Sequence, residues 1–173
     1  MSMIIRNAAD GDIAAITAIY NHAVRHTTSI WNVTQVTADN RRDWLDQRRA
    51  AGLPVLVATQ ADGAVTGYAA YGPWRPFEGF CHTVEHSVYI HPDHQGRGIG
   101  KALMAALIAR ARADGLHVMI AGIAAENAAS IRLHQGFGFV TAGRFPQVGV
   151  KFGRWLDLVL MQLTLDDRPA PPN

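Results

Sequence analysis

Apolar residues recur along this chain with two periods, and the switches between them mark eleven elements. Met3 to Asn7 is a short strand. Ile13, Ile16, Ile19, Tyr20, Ala23 and Val24 then share one broad helical face, with Asp10 as the expected N-cap. Thr27 to Thr37 is polar with Ile30 and Trp31 embedded, and reads as an ordered loop. Thr37 or Asp39 opens a second helix to about Ala51, turning Trp44 and Leu45 inward and ending at Gly52 and Pro54. Val55 to Gln60 and Ala64 to Tyr71 are strands joined across Asp62-Gly63, a short hairpin signal. Gly72 to Phe77 holds two prolines and cannot be regular. The next strand carries Val84, Val88, Tyr89 and Ile90 and stops near His91, because Pro92 has no N–H for a ladder. Leu103, Leu107 and Ile108 recur at helical spacing on an alanine-rich background up to Gly115. A strand from His117 to Ile123 and a helix from Asn127 to Gln135 follow. Phe139 to Arg144 and Arg154 to Leu165 are the last strands. The order β-α-α-β-β-β-α-β-α-β-β describes an α+β fold around a mixed sheet. No repeat or linker divides it, so residues 1–165 form one domain, and the proline-rich residues 166–173 are expected to be a disordered tail.

Composition narrows the class. The 173 residues suffice for one well-buried core, and 49% hydrophobic with 17% charged describes an ordinary globule. A formal charge of +2, with scattered Lys and Arg, gives no footprint for nucleic acid. Cys81 is the single cysteine, which rules out an internal disulfide and suits a reducing compartment. The start lacks the apolar region of a leader, and no stretch approaches the ~18 apolar residues of a membrane span. A soluble cytoplasmic protein with no membrane partner is therefore expected.

The chemistry begins between the fourth strand and the third helix, where Gly96, Gly98 and Gly100 stand at every second position beside Arg97 and Lys101. Glycine lets backbone approach a ligand, and the first N–H groups of the helix point at it, so the stretch is an anion cradle. A P-loop would need glycine at 95 and a hydroxyl after Lys101, where Gln95 and Ala102 stand. The third glycine comes one residue early for a dinucleotide fingerprint. The spacing Q-x-x-G-x-G, Gln95 through Ile99 to Gly100, instead resembles the acetyl-CoA pyrophosphate loop of the GCN5-related N-acetyltransferase (GNAT) superfamily. That resemblance implies a mostly antiparallel mixed sheet of six to seven strands flanked by about four helices, which is the order read above. It also implies that Val88, Tyr89 and Ile90 line the pantetheine and that backbone N–H groups of that strand meet the thioester carbonyl.

Acetyl transfer to an amine needs a base and a proton for the leaving thiolate. Glu85 stands in an otherwise apolar strand, where a carboxylate is used as a base, paired with an arginine, or exposed on the outer face. Asn127 to Phe139 resembles the superfamily's N-x-x-[SA]-x-x-x-Y-x-x-x-G-F helix, which places Asn127 on the pantetheine amide, with an N-cap as its other role, and includes Ser130. His134 holds the position of the tyrosine that usually protonates the thiolate, so its role as acid or base is less defined. The pairs His82/His86 and His91/His94 lack a third ligand at zinc spacing, and no metal is expected.

Longer stretches narrow the resemblance. Tyr20-Asn21, Thr27-Thr28, Ile30-Trp31-Asn32, Trp74-Arg75, Thr83 to Tyr89, Ser130 to His134 and Val148 to Asp157 are similar to the phosphinothricin acetyltransferase group. Within that group the chain looks most like bacterial amino-acid N-acetyltransferases acting on methionine sulfone and methionine sulfoximine. The resemblance implies a homodimer transferring acetyl from acetyl-CoA to the α-amine of a small amino acid. In such a site Arg75 would hold the α-carboxylate. Trp31, Trp74 and Phe77 would wall the side chain or else serve ordinary core or dimer packing, with Pro76 also at the substrate and Glu85, His86 and Ser87 facing the amine. A peptide or protein N-acetyltransferase, or a non-catalytic CoA-binding module, shares the same loop.

Overall fold

The computed structural model describes residues 3–172; Met1, Ser2 and the last residue of the expected tail, Asn173, lie outside the described residues. Seven strands form one sheet: β1 (Ile4–Asn7), β2 (Val55–Thr59), β3 (Val65–Pro73), β4 (Thr83–Ile90), β5 (Val118–Ala124), β6 (Val140–Lys151) and β7 (Arg154–Thr164). They lie in the order β1-β2-β3-β4-β5-β7-β6. Every neighbouring pair is antiparallel except β4–β5, which is parallel because helix α3 (Ile99–Ala113) crosses between them. The α+β GNAT architecture expected above is the one observed.

Alternation along the strands divides the core into two layers. Val84, Val88 and Ile90 of β4 pack with Leu103, Met104 and Leu107 of α3 and with Ile131 and Leu133 of α4 (Ala128–Gln135). On the other face, Tyr68 and Ala70 of β3 pack against Ile13, Ile16 and Ile19 of α1 (Ile13–His26) and Leu45 of α2 (Ala38–Ala50). Thr37 caps α2 as expected, its hydroxyl accepting from the Asn40 amide at 3.2 Å.

Three expectations are corrected. Gly72 and Pro73 are not irregular but close β3, paired with Glu85 and Val84 of β4, and only the rest of the segment to Phe77 leaves the sheet. Asp10 does not cap α1: residues 10–12 form a 3₁₀ turn, and the helix starts at Ile13. Asp12 accepts from the Ala9 amide at 2.8 Å and is gripped by Arg6 at 2.6 and 2.9 Å, while Asp10 pairs with Arg49. Strand β6 does not stop near Arg144 but runs to Lys151, pairing with β7 down to Lys151–Arg154. The turn is Phe152-Gly153, both at positive φ (52° and 71°), which is a type I′ hairpin built without the usual Asn-Gly signal. In the C-terminal segment, Asp166 bonds His117 at 2.8 Å and Arg168 donates to the Gly115 carbonyl at 2.9 Å, so both are fastened to the domain.

Candidate active site

The glycine loop has the geometry of an anion cradle. Gly96 and Gly98 adopt positive φ (73° and 78°), which a side chain would strain, and the space where either Cβ would stand is open. Gly98 is the N-cap of α3 and offers no side-chain cap. The first helical bond is Ala102 N–H to the Gly98 carbonyl at 3.1 Å, which leaves the amides of Ile99, Gly100 and Lys101 facing outward. Gly100 differs: its φ is ordinary and a Cβ there would meet Leu133 and Ile90 at 3.6 and 3.9 Å. Two of the three glycines are thus dictated by conformation, while at the third a Cβ would make only ordinary contacts with α4 and β4.

The cradle opens into a cleft of about 1300 Å³ that runs between β4 and β5. Their ladder covers only Thr83–Val118, Val84–Met119 and Glu85–Ile120, after which the strands part. The Thr83 carbonyl accepts from Trp74, and the His91 amide donates to Thr66, so the odd-numbered residues of β4 turn their backbone toward β3. Val88 and Ile90 therefore turn theirs toward the gap left by β5, without a strand partner. Asn127, at the far wall, caps α4 by accepting from the Ser130 amide at 3.1 Å. Its cap role is real, and its amide nitrogen remains free of protein partners among the described residues.

Glu85 and His134 lie on opposite faces of the sheet, and both line the cleft. Glu85 stands over β5: its Oε1 is 3.0 Å from where a Cβ on Gly122 would be. Water reaches it through the cleft, but the surrounding protein desolvates the carboxylate and raises its pKa, against the opposing pull of Arg75. On the other face, His134 is buried, with Nδ1 2.7 Å from the Ser130 carbonyl. A carbonyl only accepts, so Nδ1 carries the proton and Nε2 presents a lone pair. His86 Nε2 lies 3.1 Å away and must donate to it, which leaves His86 Nδ1 a buried acceptor with no partner. Burial, and then the neighbouring His134, pushes the His86 pKa down to about 3; burial lowers that of His134 too, against the Ser130 carbonyl. Both imidazoles are neutral in the free protein at neutral pH.

Of the other residues singled out from sequence, Ser87, Tyr89, Gln95, Ile99, Lys101 and Ser130 line the cleft with those already named. Trp31, Arg75, Pro76, Phe77 and Arg97 do not. Arg97 is exposed near His94 (3.4 Å), and Arg75, also exposed, stacks over Trp74 at 5.0 Å. Phe77 is 69% exposed. Trp31 packs on Gly149 and donates to the Thr28 carbonyl at 2.9 Å. The sequence reading missed Arg48, Gly72, Gly122 and the Glu126–Arg154 pair, all of which line the cleft. Gly72 and Gly122 carried a usable signal, a lone glycine inside a strand where something approaches the backbone.

The profile of the acetyltransferase (GNAT) family matches residues 16–139, more than half of the chain. The chain belongs to the GNAT family. This GNAT protein is 59% identical, over 98% of each chain, to the L-methionine sulfoximine/L-methionine sulfone acetyltransferase of Salmonella typhimurium. It is 42% identical to the phosphinothricin N-acetyltransferase of Alcaligenes faecalis, over 94% of this chain and 82% of that one. An acetyltransferase from Salmonella typhimurium solved with its cofactor acetyl-CoA superposes with a TM-score of 0.96, at 57% identity and 99% coverage of both chains.

Proposed function

We propose that this GNAT protein transfers acetyl from acetyl-CoA to the α-amine of a small amino acid, such as methionine sulfone, methionine sulfoximine or phosphinothricin, by direct attack in a ternary complex. One observation carries the reading: the open α3 cradle and the Glu85 carboxylate share one cleft. The names of the relatives support the amine class.

The residues suit acetyl-CoA. The amides of residues 99–101 and the Lys101 ammonium would hold its pyrophosphate, with Gln95, Gly96, Arg97 and Gly98 shaping the approach. The unpartnered backbone of Val88 and Ile90, with Tyr89, would flank the pantetheine, and Asn127 and Ser130 would border its far side. When bound, acetyl-CoA supplies a thioester carbonyl open to a neutral amine. Glu85 removes the ammonium proton that masks that amine; its raised pKa brings it nearer to the amine's own. The Val88 N–H donates to the oxygen on which charge develops. His134 serves the thiolate end. In the free protein its Nδ1 proton is committed to Ser130 and its Nε2 is a lone pair, so it protonates the thiolate only after its contact with His86 opens and Nε2 takes up the proton released from the amine. Arg75 lies close enough to lower the Glu85 pKa, which supports a place for the Arg75-Pro76-Phe77 loop near the amine, with Ser87 on the face of Glu85, His86 turned to the opposite face against His134, and Trp31 behind the wall.

We also read the chain as a cytoplasmic homodimer. Edge strand β6 exposes Val148 and Val150, and Phe152 and Trp155 follow at 56% and 66% exposure, an apolar strip suited to a second copy. Exposed Cys81 fits a reducing compartment. Among the described residues, no helix is long and apolar enough to cross a membrane.

A thiol-release assay with acetyl-CoA and an amine panel tests the reading. Free methionine sulfone, methionine sulfoximine and phosphinothricin should each give turnover well above that of short peptides. Preference for peptides would favour a protein acetyltransferase, and acetyl-CoA binding without thiol release from any amine would leave a binding module.

A further inference from the structure

Five ordinarily charged side chains line the cleft: Arg48, Glu85, Lys101, Glu126 and Arg154. Arg154 is held by Glu126 through two hydrogen bonds of 2.6 and 2.7 Å, and Lys101 belongs to the cradle on α3. Arg48 is the remaining cation, and it has no carboxylate partner among the described residues. It sits in the last turn of α2 and reaches across to the end of β3, where Nη1 donates to the Tyr71 carbonyl at 2.5 Å. Its guanidinium occupies the side-chain space of Gly72: a Cβ there would stand 3.0 Å from Cζ and 3.1 Å from Nη2. Any larger residue at 72 would expel it.

The register makes this placement informative. Gly72 and Glu85 are direct partners across β3 and β4, so the space above Gly72 and the Glu85 side chain share one face of the sheet. Glu85 leans the other way, over Gly122 of β5. The guanidinium therefore lies above β3 and the carboxylate above β5, two strand spacings apart, about 9–10 Å. Between them the floor is backbone and small side chains. A zwitterion fits this span. Two charge-assisted hydrogen bonds take about 2.8 Å each, and the N–Cα–C unit, with bonds of ~1.5 Å, accounts for most of the rest.

From this juxtaposition we propose that Arg48 binds the α-carboxylate of the amino acid whose amine Glu85 deprotonates. The assignment rests on the amino-acid reading above and moves the carboxylate contact from Arg75, which lies outside the cleft lining, to Arg48. Half-burial strengthens the pair, and Gly72 is the residue that makes room for it. A free amino acid satisfies Arg48; an amine lacking the carboxylate, or the N-terminal residue of a peptide, leaves its charge unpaired.

The test compares methionine sulfone with its decarboxylated analogue, 3-(methylsulfonyl)propylamine, in thiol release by the wild type and the Arg48→Ala, Arg48→Gln and Arg75→Ala variants. Arg48→Gln retains a donor for the Tyr71 carbonyl, and the KM for acetyl-CoA reports a folded cofactor site. The wild type should prefer the amino acid by about 10- to 100-fold, and both Arg48 variants should lose most of that preference through a higher amino-acid KM. If the preference survives in both Arg48 variants, or is lost instead in Arg75→Ala, the assignment to Arg48 is overturned. If the wild type acetylates no free amino acid at all, the substrate reading falls and takes this proposal with it.

Discussion

The pKa of Glu85 is set by its surroundings. Desolvation raises its carboxyl, and the Arg75 guanidinium pulls it partly back. A base must be deprotonated to work, so the acid limb of kcat/KM follows this carboxyl, provided the amine is saturated with protons throughout. Among the described residues Arg75 is the charge that lowers this pKa, so removing it leaves desolvation unopposed. Arg75→Ala should therefore shift the acid limb to higher pH, read from kcat/KM profiles between pH 5 and 9 (roughly the range in which such a base is tuned). A shift to lower pH, or none, would mean that the limb belongs to another group. His86 does not compete for that limb in the free protein. His86 is held neutral down to about pH 3, and His134 has its own pKa lowered by burial.

At the scale of elements, the β6–β7 hairpin holds the loop after α1 in place. Lys151 is buried and donates to the Thr27 carbonyl at 2.7 Å and to that of Ile30. Thr28 donates to Glu126 at 2.8 Å, and Glu126 is itself fixed by Arg154. Trp31 closes the clamp by lying where a side chain on Gly149 would be. Thr27, Thr28 and Ser29 wall the cleft, so the hairpin positions that wall from more than a hundred residues away in sequence. Gly149→Ala should displace Trp31, lower Tm by several degrees through overpacking, and raise the amine KM while leaving the acetyl-CoA KM near wild type. Melting curves and steady-state KM values check this; an unchanged amine KM beside a lowered Tm would show that the clamp stabilises without shaping the wall. Little of this was legible beforehand. Trp31 read as a pocket wall because a Trp in a polar loop invites that role, and nothing local announces Gly149 as its seat. The hairpin was cut short for a similar reason, since Phe152-Gly153 supplies the I′ turn without Asn-Gly chemistry.

For the molecule as a whole, what the sequence disclosed tracks distance along the chain. The cradle could be read directly because strand, glycines and helix N-terminus are consecutive, and so could the order of the eleven elements. The amine end could not. Arg48 comes from α2, Gly72 from β3, Glu85 from β4 and Gly122 from β5, and only the strand register brings them to one face. The parted β4–β5 pair then joins the two ends, so that the cradle and Glu85 line a single opening. The proposed reaction rests on direct attack assisted by Glu85. The measurement that tests it most directly is initial-rate thiol release from acetyl-CoA with methionine sulfone, both concentrations varied, for the wild type and Glu85→Gln. Intersecting lines for the wild type, and a kcat/KM lower by about 100-fold or more in the variant with acetyl-CoA affinity retained, are the predicted result. Near wild-type turnover by Glu85→Gln, or the parallel lines of an acyl-enzyme, would contradict it.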